Sequence, residues 1–208
     1  MLADARKGTL VIISSVHWHF TWQRHHDIAA GFAALGYRVI FVEPIPKRWP
    51  GIFEWRRVWR RLTRTGLGGG KIRQEVPRGV TIVSPTVLPD TCEIAHRVNK
   101  RFLLLPILNR IRKLIKPGEP VFLINYLPVP SALTLQKALN PDITAYDCVW
   151  DWQNDPSTKN MSLVEDELLQ NVSMVFADSP YLFTKMQKKH PVVHRVLPAV
   201  HYDLFEPA

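Results

Sequence analysis

The chain has 208 residues, 46% of them hydrophobic, a formal net charge of +9 and two cysteines. That length allows one large domain or a domain with a tail. The composition supports a packed core and excludes a low-complexity or disulfide-stapled chain. The charge is uneven. Nine Lys/Arg stand against one acid, Glu54, between Lys47 and Arg73, and seven Lys/Arg with no acid lie between Arg97 and Lys116. The rest of the chain is therefore net acidic, and the two basic blocks point to an anionic partner at particular faces. The longest apolar runs, Leu10–Ile13 and Phe102–Leu108, are too short to span a bilayer. The N-terminus MLADARKGT has no apolar h-region, so a signal peptide is not expected. Cys92 and Cys148 form no CxxC, which fits a reduced, cytosolic protein.

Seven strands are expected in chain order, at Thr9–Ser14, Tyr37–Val42, Val80–Ser84, Val121–Asn125, Ile143–Asp147, Met174–Ala177 and His194–Val196. Several are continuously apolar, as parallel strands buried on both faces are. Between the first two, Trp22–Leu35 reads as a helix with Ile28, Phe32 and Leu35 on one face and Gly36 just past its end. Cys92–Lys116 reads as a long helix with a possible break at Pro106. Ser131–Leu139 stops before the Asn140-Pro141 breaker, and Leu163–Asn171 carries acids toward its start. Ser179–Lys189 opens with a Ser cap and Pro, and ends in Lys-Lys. Alternating β and α units imply an α/β fold, a Rossmann-like three-layer sandwich around a mostly parallel sheet of about seven strands.

The loop after the first strand and the helix start behind it hold His17, Trp18, His19, Trp22, Gln23, Arg24, His25 and His26. Loops at the carboxyl ends of such strands are where open α/β sheets bind ligands. Rings stack on sugar or base faces while His, Gln and Arg bond hydroxyls or anions. The other reading packs the tryptophans against the sheet and leaves the histidines in water. No metal site is expected, because only Asp27 is near and the spacing fits no zinc pattern. Asp147 and Asp151, at a strand end and four residues on, are candidates for a base or a hydroxyl acceptor, or simple turn formers. Asn125-Tyr126 occupies the equivalent place after the fourth strand, so Tyr126 is a candidate for the cleft rim.

The segment Lys47–Arg64 reads as a basic amphipathic helix, with Ile52, Trp55, Trp59 and Leu62 on one side and Arg56, Arg57, Arg60, Arg61 and Arg64 on the other. Trp55, Arg56, Trp59 and Arg60 are the candidates for facing an anionic membrane. A surface helix with a solvated Arg face is the plainer reading. No nucleic-acid partner is expected, since no recognition motif accompanies the charge. Gly66-Leu67-Gly68-Gly69-Gly70-Lys71 fails the GxxxxGK spacing of a phosphate loop and reads as a connector.

Taken together, SSVHWHFTWQRHHDIA, GYRVIFVEP, YDCVWDW, VSMVFADSPYLFTKM and the terminal VLPAVHYDLFEP resemble, in their order, the N-terminal, acceptor-side domain of a GT-B glycosyltransferase, close to glycosyltransferase family 4. The terminal segment fills the place of that family's linker, but has Ala199 and His201 where the family usually has Gly and Asp, and is one residue shorter after Pro198. Relatives often carry acids in the first loop, where this chain has His17 and His19. The resemblance implies that residues 1–196 form half of a GT-B fold, with 47–73 inserted, and that 197–208 begin an interdomain linker. A second domain, absent here, would bind most of a nucleotide-sugar donor. It further implies transfer of a sugar to a glycan acceptor, often lipid-linked, for cell-surface polysaccharide synthesis at the cytoplasmic face of the inner membrane. Anomeric configuration would be retained without an obligate protein base. This half would bind acceptor, hold no cofactor of its own and be inactive alone. Two alternatives stay open: a half-enzyme module that needs a separate donor-binding subunit, and a Rossmann-type nucleotide-sugar-modifying enzyme. The missing GxGxxG after the first strand argues against a dinucleotide.

Overall fold

The computed structural model describes residues 7–46, 74–152 and 159–197. Lys47–Arg64 with Trp55, Arg56, Trp59 and Arg60, the Gly66–Lys71 segment, and the linker from Pro198 onward lie outside the described residues.

Seven parallel strands form one sheet in the order β3-β2-β1-β4-β5-β6-β7. They are β1 (Thr9–Ile13), β2 (Arg38–Val42), β3 (Val80–Val83), β4 (Val121–Asn125), β5 (Ile143–Cys148), β6 (Met174–Ala177) and β7 (Val193–Arg195). Each begins and ends within one residue of its sequence-based expectation. The helices are α1 (Arg24–Ala34), α2 (Glu93–Val98), α3 (Leu104–Leu114), α4 (Pro130–Leu139), α5 (Lys159–Leu169) and α6 (Pro180–Gln187).

Strand alternation sorts the core into two faces. Leu10 and Ile12 of β1 and Val39 and Phe41 of β2 pack with Ala29, Ile28 and Phe32 of α1. Val11, Ile13, Ile40 and Val42 point the other way, against Leu104, Ile107, Leu108 and Ile111 of α3 and Ala132 and Leu135 of α4. Farther along that second face, Tyr146, Cys148, Val175 and Ala177 meet Leu168 and Leu169 of α5 and Leu182 and Met186 of α6. The result is a Rossmann-like three-layer α/β sandwich. The expected inward face of α1 is corrected in one place. Leu35 is exposed, and the fully buried side chains of the helix are His25, His26 and Ala29. Gly36 ends the turn with φ +89°, a conformation that favours glycine.

The long helix expected at Cys92–Lys116 is not broken at Pro106. It carries instead a π turn at Asn99–Leu103, between α2 and α3. A proline lacks its N–H and crowds the carbonyl four residues back. With the π turn just upstream, Pro106 falls in the first turn of α3, where a helix best tolerates proline. The wider turn also buries both Asn99 and Leu104, five residues apart. Asn99 Nδ2 donates to the Leu88 carbonyl (2.8 Å), Asp90 Oδ1 (3.0 Å) and Ser131 Oγ (3.1 Å), while its Oδ1 accepts from Leu88 N (2.8 Å). Asp90 Oδ2 accepts from Ser131 N at the start of α4 (2.7 Å), so the network also caps that helix.

Gly8, just before β1, has φ +147°, and a Cβ there would sit 2.8 Å from the main-chain carbonyl oxygen of Pro120. Gly8→Ala is expected to cost about 2 kcal/mol, read as a lowered urea midpoint. An unchanged midpoint would show that the β1–β4 entry can shift to make room.

Candidate functional site at the sheet switch point

The chain leaves β1 for β2 on one side and returns by a long crossover to β4 on the other, so the switch point lies between β1 and β4. In open α/β sheets ligands generally bind beside the loops at the carboxyl ends of strands at such a switch point. Main-chain pairing continues just past the strands, with Tyr126 N donating to the Ile13 carbonyl (3.0 Å) and Ser14 N to that of Val42 (2.9 Å). This fixes where Ser15 and Tyr126 emerge.

The first loop is clamped by a residue that the sequence reading passed over, Glu43 at the end of β2. Its Oε1 accepts from Trp18 N (3.2 Å) and lies 3.4 Å from His17 Nδ1, and its Oε2 accepts from Ser84 Oγ (2.6 Å). These partners outweigh burial and hold the carboxyl at about 2, well below its usual range. Its position, the acid in the VEP triplet that ends a strand, was the available signal.

The loop residues divide into packing and site. Trp18 is fully buried, edge-on to Phe41 (5.0 Å between ring centres), Trp22 (6.0 Å) and His26 (5.1 Å). Trp22 donates from Nε1 to Asp27 Oδ1 (2.5 Å). His26 stands at the third position of α1 and does what Glu does in a capping box. Its Nδ1 accepts from Gln23 N (3.0 Å), and Nε2 lies 3.1 Å from the Trp18 carbonyl, which assigns its proton to Nε2. Burial chiefly lowers its pKa, and the backbone carbonyls partly offset this. Gln23 is the N-cap of α1, His17 is exposed beside Glu43, and His19 is half-buried with Nδ1 unpaired.

Five side chains meet over β1, β4 and β5: Ser15, Arg24, His25, Tyr126 and Asp147. His25 Nε2 is 3.1 Å from Ser15 Oγ, and its ring lies 3.7 Å, centre to centre, from that of Tyr126. Burial, followed by the neighbouring His26 and Arg24 charges, drops the His25 pKa to about 3, so the imidazole is neutral. Arg24 Nε is 2.9 Å from Asp147 Oδ2, and Asp147 is completely buried. Burial raises the Asp147 pKa, and the Arg24 charge opposes it. The Tyr126 hydroxyl is held protonated, first by burial and then by the Asp147 charge. Arg24 also reaches across the sheet, donating from Nη1 to the Val196 carbonyl just past β7 (2.8 Å).

The contacts within the group are close but poorly aimed. Neither Asp147 oxygen, nor the Tyr126 hydroxyl, nor His25 Nδ1, nor Trp18 Nε1 has a partner of good hydrogen-bond geometry. The Arg24–Asp147 contact is an ion pair at 2.9 Å. Buried polar groups normally find partners, and those that do not reflect strain, a bound water or ion, or a functional role.

Asp151 is drawn away from Asp147. It accepts from Tyr181 Oη (2.8 Å) and pairs with Lys185, both on α6. Asn125, next to Tyr126, is spent on structure, donating to Gln136 Oε1 (3.0 Å) and accepting from Leu127 N (2.9 Å). Among the described residues no group of three or more His, Cys, Asp or Glu is placed to hold a metal, and no helix is long and apolar enough to cross a membrane.

No protein-family model matches the chain, and no curated protein matches it. Among solved structures it is similar to that of LpCGTa in complex with UDP, at 13% identity and a TM-score of 0.47. The match covers 96% of this chain and 55% of the other, so the chain spans about half the length of that protein. At that identity the likeness is no guide to activity.

Proposed function

We propose that the chain is the acceptor-binding half of a glycosyltransferase that moves a sugar from a nucleotide-sugar donor to a glycan acceptor. The observation that carries this reading is the cluster of buried polar groups at the switch point, Asp147, Tyr126 and His25, whose contacts with one another are close but poorly aimed. A polyhydroxylated ligand matches such a set, because each hydroxyl both donates and accepts. Asp147 would accept from one hydroxyl, Tyr126 would donate to another, and neutral His25 can do either. The order of sequence motifs supports the glycosyltransferase class. The donor-binding domain would follow the Leu197–Ala208 linker, and family 4 membership, with retention of configuration, is the finer form of the reading. A lipid-linked acceptor and a place on the cytoplasmic face of the inner membrane complete it, with Trp55, Arg56, Trp59 and Arg60 facing the lipid.

A half-enzyme working with a separate donor-binding subunit is the second reading, and the reading frame beyond Ala208 separates the two. A dinucleotide enzyme is disfavoured, since Glu43, the acid in the place that bonds a ribose in such enzymes, is taken by Trp18, Ser84 and His17.

Calorimetric titration with oligosaccharide or lipid-linked acceptors and with nucleotide-sugars tests the assignment. Acceptor binding is expected, weakened at least tenfold by Tyr126→Phe with Asp147→Asn, and donor binding is expected to be negligible on this chain. Tight nucleotide-sugar binding with no acceptor binding would sink the division of roles.

A further inference from the structure

The helix formed by α2, the π turn and α3 has an outer face that the sugar-transfer reading does not use. At 22 residues and about 1.5 Å per residue, the helix is roughly 33 Å long. Its inner side is buried through Ala95, Asn99, Leu104, Ile107, Leu108 and Ile111. Its outer side leaves Ile94 73% exposed, Phe102 64% and Leu105 53%. Three large apolar side chains on one helix, each more than half in water, are more than the scattered exposure of an ordinary surface. The π turn matters here. By bringing both Asn99 and Leu104 to the core it keeps the two helical pieces in one rotational phase, so Ile94 and Phe102 project from the same side.

Cations surround these side chains. Glu93 is the one acid from Glu93 to Lys116, and it is spent on Arg97 (3.1 Å). Lys100, Arg101, Arg110, Arg112, Lys113 and Lys116 pair with no carboxylate among the described residues. Arg110 and Arg112 spend their N–H groups on the main-chain carbonyls of Ile82 and Ala138, which leaves their charge uncompensated.

We propose that this outer face docks on an anionic lipid bilayer, with the helix lying in the interface and Ile94, Phe102 and Leu105 entering it. The mix of exposed aliphatic and aromatic side chains with unpaired Lys and Arg on one helix is what an interfacial helix needs. A protein partner fits less well, since interface cores are depleted in Lys. A nucleic acid fits less well too, because Ile94 and Leu105 offer no ring on which a base can stack. The site does not depend on sugar transfer, so a chain that binds no acceptor would still bind vesicles.

Co-sedimentation with vesicles of phosphatidylcholine containing one quarter phosphatidylglycerol tests it, with pure phosphatidylcholine and high salt as controls. Two double variants are compared with the unaltered chain, Phe102→Ser with Leu105→Ser, and Arg101→Glu with Lys113→Glu. All four positions are exposed, and an unchanged urea midpoint checks that the fold survives. Partitioning onto the anionic vesicles is expected, weakened about tenfold or more by each double variant and by high salt. No partitioning overturns the proposal. So does full binding by both variants, which would seat the membrane contact elsewhere. Loss with the charge variant alone marks a general polyanion site, and loss with the apolar variant alone removes the anionic component; either result also overturns it.

Discussion

Between pH 6.5 and pH 3 the protein should lose on the order of 4 to 5 kcal/mol of stability that a His25→Gln variant keeps. The cause is the neutral, buried imidazole. His25 is 3% exposed, and its pKa falls from 6.5 to about 3. In the unfolded chain it takes up a proton near pH 6.5, while the folded chain refuses one until about pH 3. Over that window the unfolded state binds more protons, so stability is fully present above pH 6.5 and falls as the pH drops. Glu43 acts in the same direction lower down. Its folded value of about 2 means that its contribution is present above 4.5 and fades as pH falls through 2. Asp147 and Glu165, both raised by burial, have the opposite sign and favour the folded state as they protonate. Glu43, Asp147 and Glu165 remain in the His25→Gln variant, so the difference between the two pH profiles isolates the imidazole. Urea midpoints taken from pH 7 to pH 3.5 would give that difference, and parallel profiles would show that His25 is not held neutral.

Arg24→Met is expected to destabilise the fold by about 3–5 kcal/mol, because it leaves the fully buried Asp147 carboxylate without its counter-charge. Burial already pushes that carboxyl up, and Arg24 is the first opposing influence on it. Without the guanidinium, burial pushes the Asp147 carboxyl up with less to oppose it. Adding Asp147→Asn to Arg24→Met should then recover most of the loss, since the neutral amide needs no counter-ion. A double variant as unstable as Arg24→Met alone would mean that the arginine acts through packing or its Val196 bond, not through charge. Arg24→Lys separates these, because an ammonium can pair with Asp147 but cannot span the sheet with a fork.

The strands were legible because parallel strands buried on both faces must be apolar at every position, as Leu10–Ile13 and Val39–Val42 are. The caps were legible because they rest on local chemistry; Ser179 Oγ does accept from Leu182 N (3.3 Å). What resisted reading depends on partners distant in sequence. Trp18 looked like a ligand-facing ring, and only the arrival of Phe41 from β2 makes it a core residue. Leu35 follows the spacing of an apolar helix face yet is exposed, while His25 and His26 take the inner positions. The π turn had no signature beyond Pro106, since its register is set by Asn99 reaching Leu88, Asp90 and Ser131. Within the candidate site, Arg24 and His25 were named from the first loop and helix start, and Tyr126 and Asp147 from strand ends, but their convergence was not. Asp147 and Asp151 are four residues apart in sequence and serve different neighbours, Arg24 on α1 and Lys185 on α6.

The bond from Arg24 to Val196 is made to a main-chain carbonyl, which every amino acid presents alike. Side-chain identity at 196 can drift without loosening the tie between the first helix and the strand that leaves the sheet. The information for that long reach, 172 residues along the chain, therefore resides in a single codon, that of Arg24.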